Sequence, residues 1–156
     1  LRGLFLENRL TAGRFAVDGG VIALKDISAP MFVVATEKDH IAPWKSTYLG
    51  ATRLGGPVRF VLGGSGHIAG IVNPPAANKY HFWTNEAKTL PATPDDWFEG
   101  ATQHPGSWWT DWQKWIGGLN GDDKVPARDP AKGKLKVLED APGSFVKFRL
   151  DQQKKA

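Results

Sequence analysis

Cysteine is absent from this chain, which excludes a disulfide framework and any thiolate metal site within its 156 residues. Methionine occurs once, as Met31, and no initiator methionine opens the sequence, so the chain is expected to be a piece of a longer polypeptide. No stretch approaches the roughly 20 consecutive apolar residues that a membrane span requires. The opening Leu1-Arg-Gly-Leu-Phe-Leu-Glu-Asn-Arg-Leu10 carries charges inside its apolar pattern and makes a poor signal peptide. The excess of one charge over the other is also small: 20 basic against 16 acidic residues leave a net +4. Much of that excess lies in the tail, at Lys132, Lys134, Lys136, Lys147, Arg149, Lys154 and Lys155, without a dense block. A solvated surface is expected there, with no nucleic acid as partner. There are four histidines, no His-x-x-x-His and no carboxylate cluster, so neither metal nor cofactor is expected.

What remains is ordinary globular material. A hydrophobic content of 41% over this length suffices for one core. Leu1, Leu4, Phe5 and Leu10 recur at helical spacing and predict a short helix packed on one side. Val17-Asp-Gly-Gly-Val21 centres on Asp-Gly and reads as a tight hairpin. Pro30 then sets the entry to an apolar run, Met31 to Ala35, and Val58 to Leu62 forms a second. Both runs are near-continuous rather than alternating, which predicts parallel strands covered on both faces. A helix-length stretch, Pro43 to Leu54, lies between them. Beyond Pro74-Pro75, Asp95-Asp96-Trp97-Phe98 is a good helix start, with acids at the positive end of the helix dipole. Ser107 caps a further helix on which Trp108, Trp112 and Trp115 share a face. From Gly117 onward Gly, Pro, Asp and Lys dominate and periodicity fades.

The chemistry sits where the two strands end. The first leads through Thr36-Glu37-Lys38 to Asp39, and the second through Gly63-Gly64-Ser65-Gly66 to His67. Strand, acid, helix, strand, histidine is the order in which α/β-hydrolases deliver the last two members of a nucleophile–His–acid triad. A carboxylate there fixes the imidazole tautomer and stabilises the imidazolium formed when the ring takes the nucleophile's proton. The nucleophile would have to precede this segment, which therefore reads as the back half of an enzyme. Asp after a strand is also common in α/β proteins with no catalytic role.

Other candidates weigh less. Ser65 is no nucleophile elbow, because Gly-x-Ser-x-Gly from Gly63 would need glycine where His67 stands. The same run lacks the Lys-Ser/Thr of a phosphate loop. Ser65 therefore reads as a turn residue, with a small α/β-hydrolase-like esterase using it as an alternative. His40 either points into the cleft beside Asp39 or is a plain loop histidine. His81 and His104 read as surface or packing residues. Trp108, Trp112 and Trp115 read first as a helix docked on a core. The alternative is a Trp-rich module that binds polymer or polyester granules.

Three blocks then carry a resemblance. Glu37-Lys-Asp-His-Ile-Ala-Pro-Trp-Lys-Ser46, Arg59-Phe-Val-Leu-Gly-Gly-Ser-Gly-His-Ile-Ala-Gly-Ile-Val-Asn-Pro-Pro75 and His104-Pro-Gly-Ser-Trp-Trp109 resemble the C-terminal part of class I polyhydroxyalkanoate synthases. Leu6-Glu-Asn-Arg-Leu10 is similar to the segment after that family's cap region. The likeness runs from Leu1 to about Trp115, with a weaker echo at Ala141-Pro-Gly-Ser-Phe-Val146. It implies an α/β-hydrolase core and a Cys–His–Asp triad that polymerises (R)-3-hydroxyacyl-CoA into polyester and releases CoA. His67 matches the family's histidine, and Asp39 its acid, assigned either to orienting that histidine or to deprotonating the substrate's 3-hydroxyl. His40 matches a histidine of unassigned role. The resemblance further implies cytoplasmic, granule-associated enzymes, with a homodimeric parent whose missing N-terminal half holds the cysteine. Ile41, Trp44 and Ile68 are candidate neighbours that keep water from the acyl-enzyme.

The expected fold class is thus α/β. Residues 1–116 would be the C-terminal part of an α/β-hydrolase fold, with parallel strands and crossover helices. Residues 117–156 would be an irregular C-terminal extension, wrapped on the body or partly disordered. Alone, the chain is expected to turn over no acyl-CoA.

Overall fold

The computed structural model describes residues 1–121 and 124–149. The chain divides into two compact units, Leu1–Gly121 and Asp122–Ala156. The first opens with a wide helical turn, Arg2–Leu6, whose Phe5 and Leu6 side chains are exposed. The sequence predicts that this turn packs on one side. Instead its apolar side chains face solvent, and Glu7 holds the local chain through Arg2 and Arg9. Strands β1 (Phe15–Val17) and β2 (Gly20–Ile22) follow as an antiparallel hairpin. Its turn places Asp18 and Gly19 at φ 49° and 77°, the positive values that a two-residue hairpin requires.

The main sheet has four strands in the order β3–β4–β5–β6. Strands β3 (Met31–Thr36) and β4 (Val58–Gly63) run parallel, in register from Met31 beside Val58 to Thr36 beside Gly63. Helix α1 (Trp44–Ala51) is the crossover between them. Both strands therefore finish on one rim, because a parallel register aligns their C-terminal ends. Strands β5 (His81–Thr84) and β6 (Thr102–Pro105) are antiparallel to their neighbours, with helix α2 (Pro94–Glu99) between them. The expectation of parallel strands with crossover helices thus holds for β3 and β4 alone. In β5 the buried Phe82 and Thr84 alternate with the half-buried His81 and Trp83, the pattern of a strand whose two faces differ. The architecture is mixed α/β.

The core lies between α1, α2 and one sheet face. Tyr48, Phe60 and Trp97 meet edge to face, with ring centroids 5.0 Å apart for Tyr48–Phe60 and for Phe60–Trp97. Such pairs contribute about 0.5–1.5 kcal/mol each beyond the area they bury. The Tyr48 hydroxyl donates to the Pro91 carbonyl at 2.6 Å, and burial pushes its pKa up to about 12. Thr93 caps α2 by accepting from the Asp96 N–H. On the other face, helix α3 (Trp109–Asn120) docks through Trp108 and Trp115 against Phe32 of β3, at 6.1 and 5.3 Å between centroids. The tryptophan face is thus largely a packing face, with Trp112 left half-exposed. Arg59 of β4 ties α3 to the sheet, forking onto Asp111 at 2.6 and 2.7 Å and reaching Glu86 at 3.1 Å.

Strand β3 is an edge of the sheet among the described residues, although its sequence reads as a central strand. Among the same residues no helix is long and apolar enough to cross a membrane. Among the described residues of the second unit are two single helical turns, Pro130–Lys132 and Phe145–Lys147. Within it the Glu139 carboxylate accepts from the Ser144 N–H and hydroxyl, each at 2.8 Å, which pulls the Glu139 pKa down.

Candidate active site

Asp39 enters the site through a turn that leaves β3, its own N–H donating to the Thr36 carbonyl. One carboxylate oxygen, Oδ1, accepts from the N–H groups of Ile41 and Ala42, each at 2.9 Å. The side chain thereby fixes the loop that feeds α1, as Asp commonly does in such turns. The other oxygen, Oδ2, lies 2.8 Å from Nδ1 of His67. The Ala42 N–H, then the His67 ring and the Ile41 N–H, hold the Asp39 pKa down at about 2. The acid is therefore ionised across the physiological range, a carboxylate placed to accept a hydrogen bond from Nδ1 of His67.

The loop delivering His67 is tied to its surroundings through the backbone. Gly63 and Ser65 carbonyls accept from the N–H groups of Glu37 and Lys38, each at 2.9 Å, and the Gly64 N–H donates to the His81 carbonyl at 2.8 Å. Ser65 sits at φ 74°, a left-handed value unusual for a residue with a side chain. After His67 the chain coils tightly, with Gly70 N–H on the Gly66 carbonyl and Val72 N–H on the Ile68 carbonyl. Gly70 is needed for this closure, because a β-carbon there would lie 2.5 Å from Thr36 Cγ2 and 2.6 Å from the Gly64 carbonyl oxygen. The Asp39 side chain is 9% exposed and the His67 side chain 45%. Nε2 of His67 has no hydrogen-bond partner among the described residues, so that edge of the ring is free to meet a ligand or a nucleophile.

The remaining candidates separate. His40 is exposed and has no hydrogen bond among those described. Ile41 and Ile68 are exposed and adjoin the dyad in sequence, whereas the Trp44 ring packs on Trp97 and Phe98 of α2, at 6.3 and 6.0 Å. The clefts described in the first unit are lined by residues such as Val58, Leu90 and Trp97, or Arg59 and Asp111, and His67 borders none of them. The dyad stands on an open rim, and a ligand held there would need further walls. Among the described residues no three His, Asp or Glu side chains converge as a metal site.

Two features of the rim escape the reading of the sequence. His81 is more than a packing residue: its Nε2 lies 3.1 and 3.2 Å from the two Glu37 oxygens, and Trp83 Nε1 donates to the same carboxylate at 2.5 Å. The signal was there in period two, since residues 81 and 83 share one face of a strand. Indole N–H groups of Trp108 and Trp109 also donate to the carbonyls of Gly70 and Ile71, each at 3.0 Å. His104, by contrast, pairs locally with Thr84 at 2.9 Å.

No family model matches the chain. Individual proteins do. A poly(3-hydroxyalkanoate) polymerase subunit of Rhizobium meliloti is 47% identical over 149 residues, covering 96% of this chain and 24% of that protein. Its counterpart in Rhizobium etli is 49% identical, covering 96% and 23%. The polymerase subunit of Cupriavidus necator is 41% identical, covering 96% and 25%. The resemblance read from the motifs is borne out, and it extends past Trp115 into the tail. The chain spans about a quarter of the length of the curated relatives it matches.

Proposed function

We propose that this chain is the part of an α/β-hydrolase-type polyhydroxyalkanoate synthase that carries Asp39 and His67, the acid and base of a Cys–His–Asp triad. The observation that carries the reading is the 2.8 Å contact between an ionised carboxylate and an imidazole at the ends of adjacent parallel strands. It occurs in a chain whose relatives are named poly(3-hydroxyalkanoate) polymerases. The cysteine would come from the rest of the parent enzyme, since these residues include none.

In this reading His67 Nε2 takes the thiol proton and the thiolate attacks the thioester carbon of (R)-3-hydroxyacyl-CoA. A new carbon–sulfur bond forms, the bond to CoA breaks, and CoA leaves as the thiol with the proton returned by the imidazolium. The acyl group rests on the enzyme until a 3-hydroxyl oxygen attacks its carbonyl carbon. His67 receives the hydroxyl proton, an ester carbon–oxygen bond forms, the carbon–sulfur bond to the cysteine breaks, and the released thiolate takes the proton back from the imidazolium. Asp39 is the orienting member. Its oxygens already accept from the Ile41 and Ala42 N–H groups and lie against the His67 ring, which suits a residue that holds the imidazole in place. Ile41 and Ile68, exposed beside the dyad, would help exclude water once the remaining walls are present. Trp44 acts at most through its packing on α2. Homodimerisation and granule association in the cytoplasm belong to the parent enzyme in the same reading.

The competing readings draw little support. The Ser65 side chain makes no hydrogen bond to His67 among the described residues, and Trp108 and Trp115 are spent on Phe32. The test is CoA release from (R)-3-hydroxybutyryl-CoA by the full-length enzyme. His67→Ala should lower kcat by about 10²–10⁴, the worth of a positioned general base, and this chain alone should release no CoA. Wild-type rates in His67→Ala would overturn the assignment.

A further inference from the structure

Behind the loop that presents His67 lies a second carboxylate–imidazole pair. Glu37 follows β3 directly, two residues before Asp39, and His81 opens β5. Their side chains meet at 3.1 and 3.2 Å, and Trp83 adds its indole N–H to the same carboxylate at 2.5 Å. The Trp83 ring stands edge-on to His81, with centroids 6.1 Å apart and planes at 89°. The two residues also hold the histidine loop through their backbones, from opposite sides. The Glu37 N–H donates to the Gly63 carbonyl, and the His81 carbonyl accepts from the Gly64 N–H. The imidazole lies over Gly64, where a β-carbon would come within 3.0 Å of its Cε1. A short loop containing a left-handed serine is thus clamped between two strand ends whose side chains bond each other.

We propose that Glu37 and His81 are positioning residues that set the distance and orientation of His67 relative to Asp39, an inference that rests on the proposed role of that dyad. The route is physical and short. The Glu37 carboxylate anchors the turn leading to Asp39, while His81 anchors the loop leading to His67. Closing one onto the other fixes both turns in a single frame. Removing Glu37 leaves the half-buried His81 ring nitrogen without its partner, and removing His81 leaves the carboxylate held by Trp83 alone. Either change lets β5 draw away from the acid turn and frees the Gly63–Ser65 segment to relax its strained backbone. Neither residue reaches the reacting atoms, so the effect passes through His67.

The test reads the dyad without turnover. In this chain with ¹⁵N-labelled histidines, the Nδ1 proton that His67 gives to Asp39 should resonate downfield and exchange slowly. His81→Ala should weaken that resonance and speed its exchange about tenfold or more, as expected for loss of a charge-assisted hydrogen bond. His81→Gln, whose amide can donate from nearly the position of Nε2, should restore most of it. Should His81→Ala fail to fold, Glu37→Gln, which keeps shape and loses charge, carries the same comparison. An unchanged His67 proton in a folded His81→Ala or Glu37→Gln chain would overturn the proposal, as would a His81→Gln chain indistinguishable from His81→Ala. In the full-length enzyme His81→Ala should lower kcat with KM for the acyl-CoA unchanged. If the His67 proton responds as expected while His67→Ala leaves CoA release intact, the clamp stands and the catalytic reading falls.

Discussion

Trp108 donates its indole N–H to the carbonyl of Gly70 across 3.0 Å, and so fastens the start of α3 to the coil that leaves His67. The same ring lies against Phe32. Its two attachments can be separated by substitution. Trp108→Phe keeps an aromatic ring on Phe32 and leaves the buried Gly70 carbonyl without its donor, which should cost about 1–3 kcal/mol. Trp112→Phe, at a half-exposed position of the same helix, should stay within about 0.5 kcal/mol of the parent. Urea unfolding of both variants measures the difference, and equal losses would mean that the indole bond contributes nothing.

Acid should weaken the first unit through Asp39. Its pKa is depressed to about 2 in the folded chain, from an ordinary value of 3.8. A carboxyl with a lowered folded pKa stabilises the fold above its unfolded pKa, and that contribution is lost as pH falls through the folded one. The window is therefore about pH 4 down to about pH 2. Unfolding free energy measured across that interval should fall more steeply in the parent than in Asp39→Asn, which cannot titrate. Parallel curves would place the ionisation elsewhere.

Much of this site was legible because its signals are local. Apolar runs at 31–35 and 58–62 with a helix-length spacer specify a parallel pair, and a parallel pair aligns the residues that follow each strand. That geometry delivers Asp39 and His67 to the same rim. The clamp was less legible, because it joins Glu37 to His81 across 44 positions, and nothing in a four-residue strand states which strand it will face. The direction of β5 was hidden for the same reason: His81 to Thr84 reads identically in parallel and antiparallel pairing. At the N-terminus periodicity pointed to a packed face, whereas Phe5 is 83% exposed. Periodicity records that a face is apolar and carries no information about what covers it.

Gly70→Ala should be among the more costly single-methyl changes in the chain. The added carbon would press on Thr36 Cγ2 and on the Gly64 backbone oxygen, and backbone cannot swing aside as a flexible side chain does. A loss of about 1–3 kcal/mol is expected, as for other overpacked sites. Gly50 provides the contrast. It lies inside α1, where a β-carbon meets nothing within 4 Å, so Gly50→Ala should stabilise by about 0.5–1 kcal/mol. Thermal unfolding of the pair gives shifts of opposite sign if the crowding at Gly70 is real.

Ser65 offers a test in which stability and activity answer separate questions. Its φ of 74° costs a residue with a β-carbon about 1–2 kcal/mol relative to the right-handed region, and glycine avoids that strain. Glycine also adds about 0.5–1 kcal/mol of unfolded-state entropy, which offsets part of the gain. Ser65→Gly should therefore be neutral or slightly stabilising, and its backbone carbonyl remains to accept from Lys38. In the full-length enzyme CoA release should persist at close to the parent rate, because a turn residue contributes only its backbone. An esterase that used Ser65 as nucleophile would instead lose its rate by orders of magnitude while keeping its fold. A stable, inactive Ser65→Gly enzyme would thus transfer the nucleophile's role to this serine and remove the need for a cysteine.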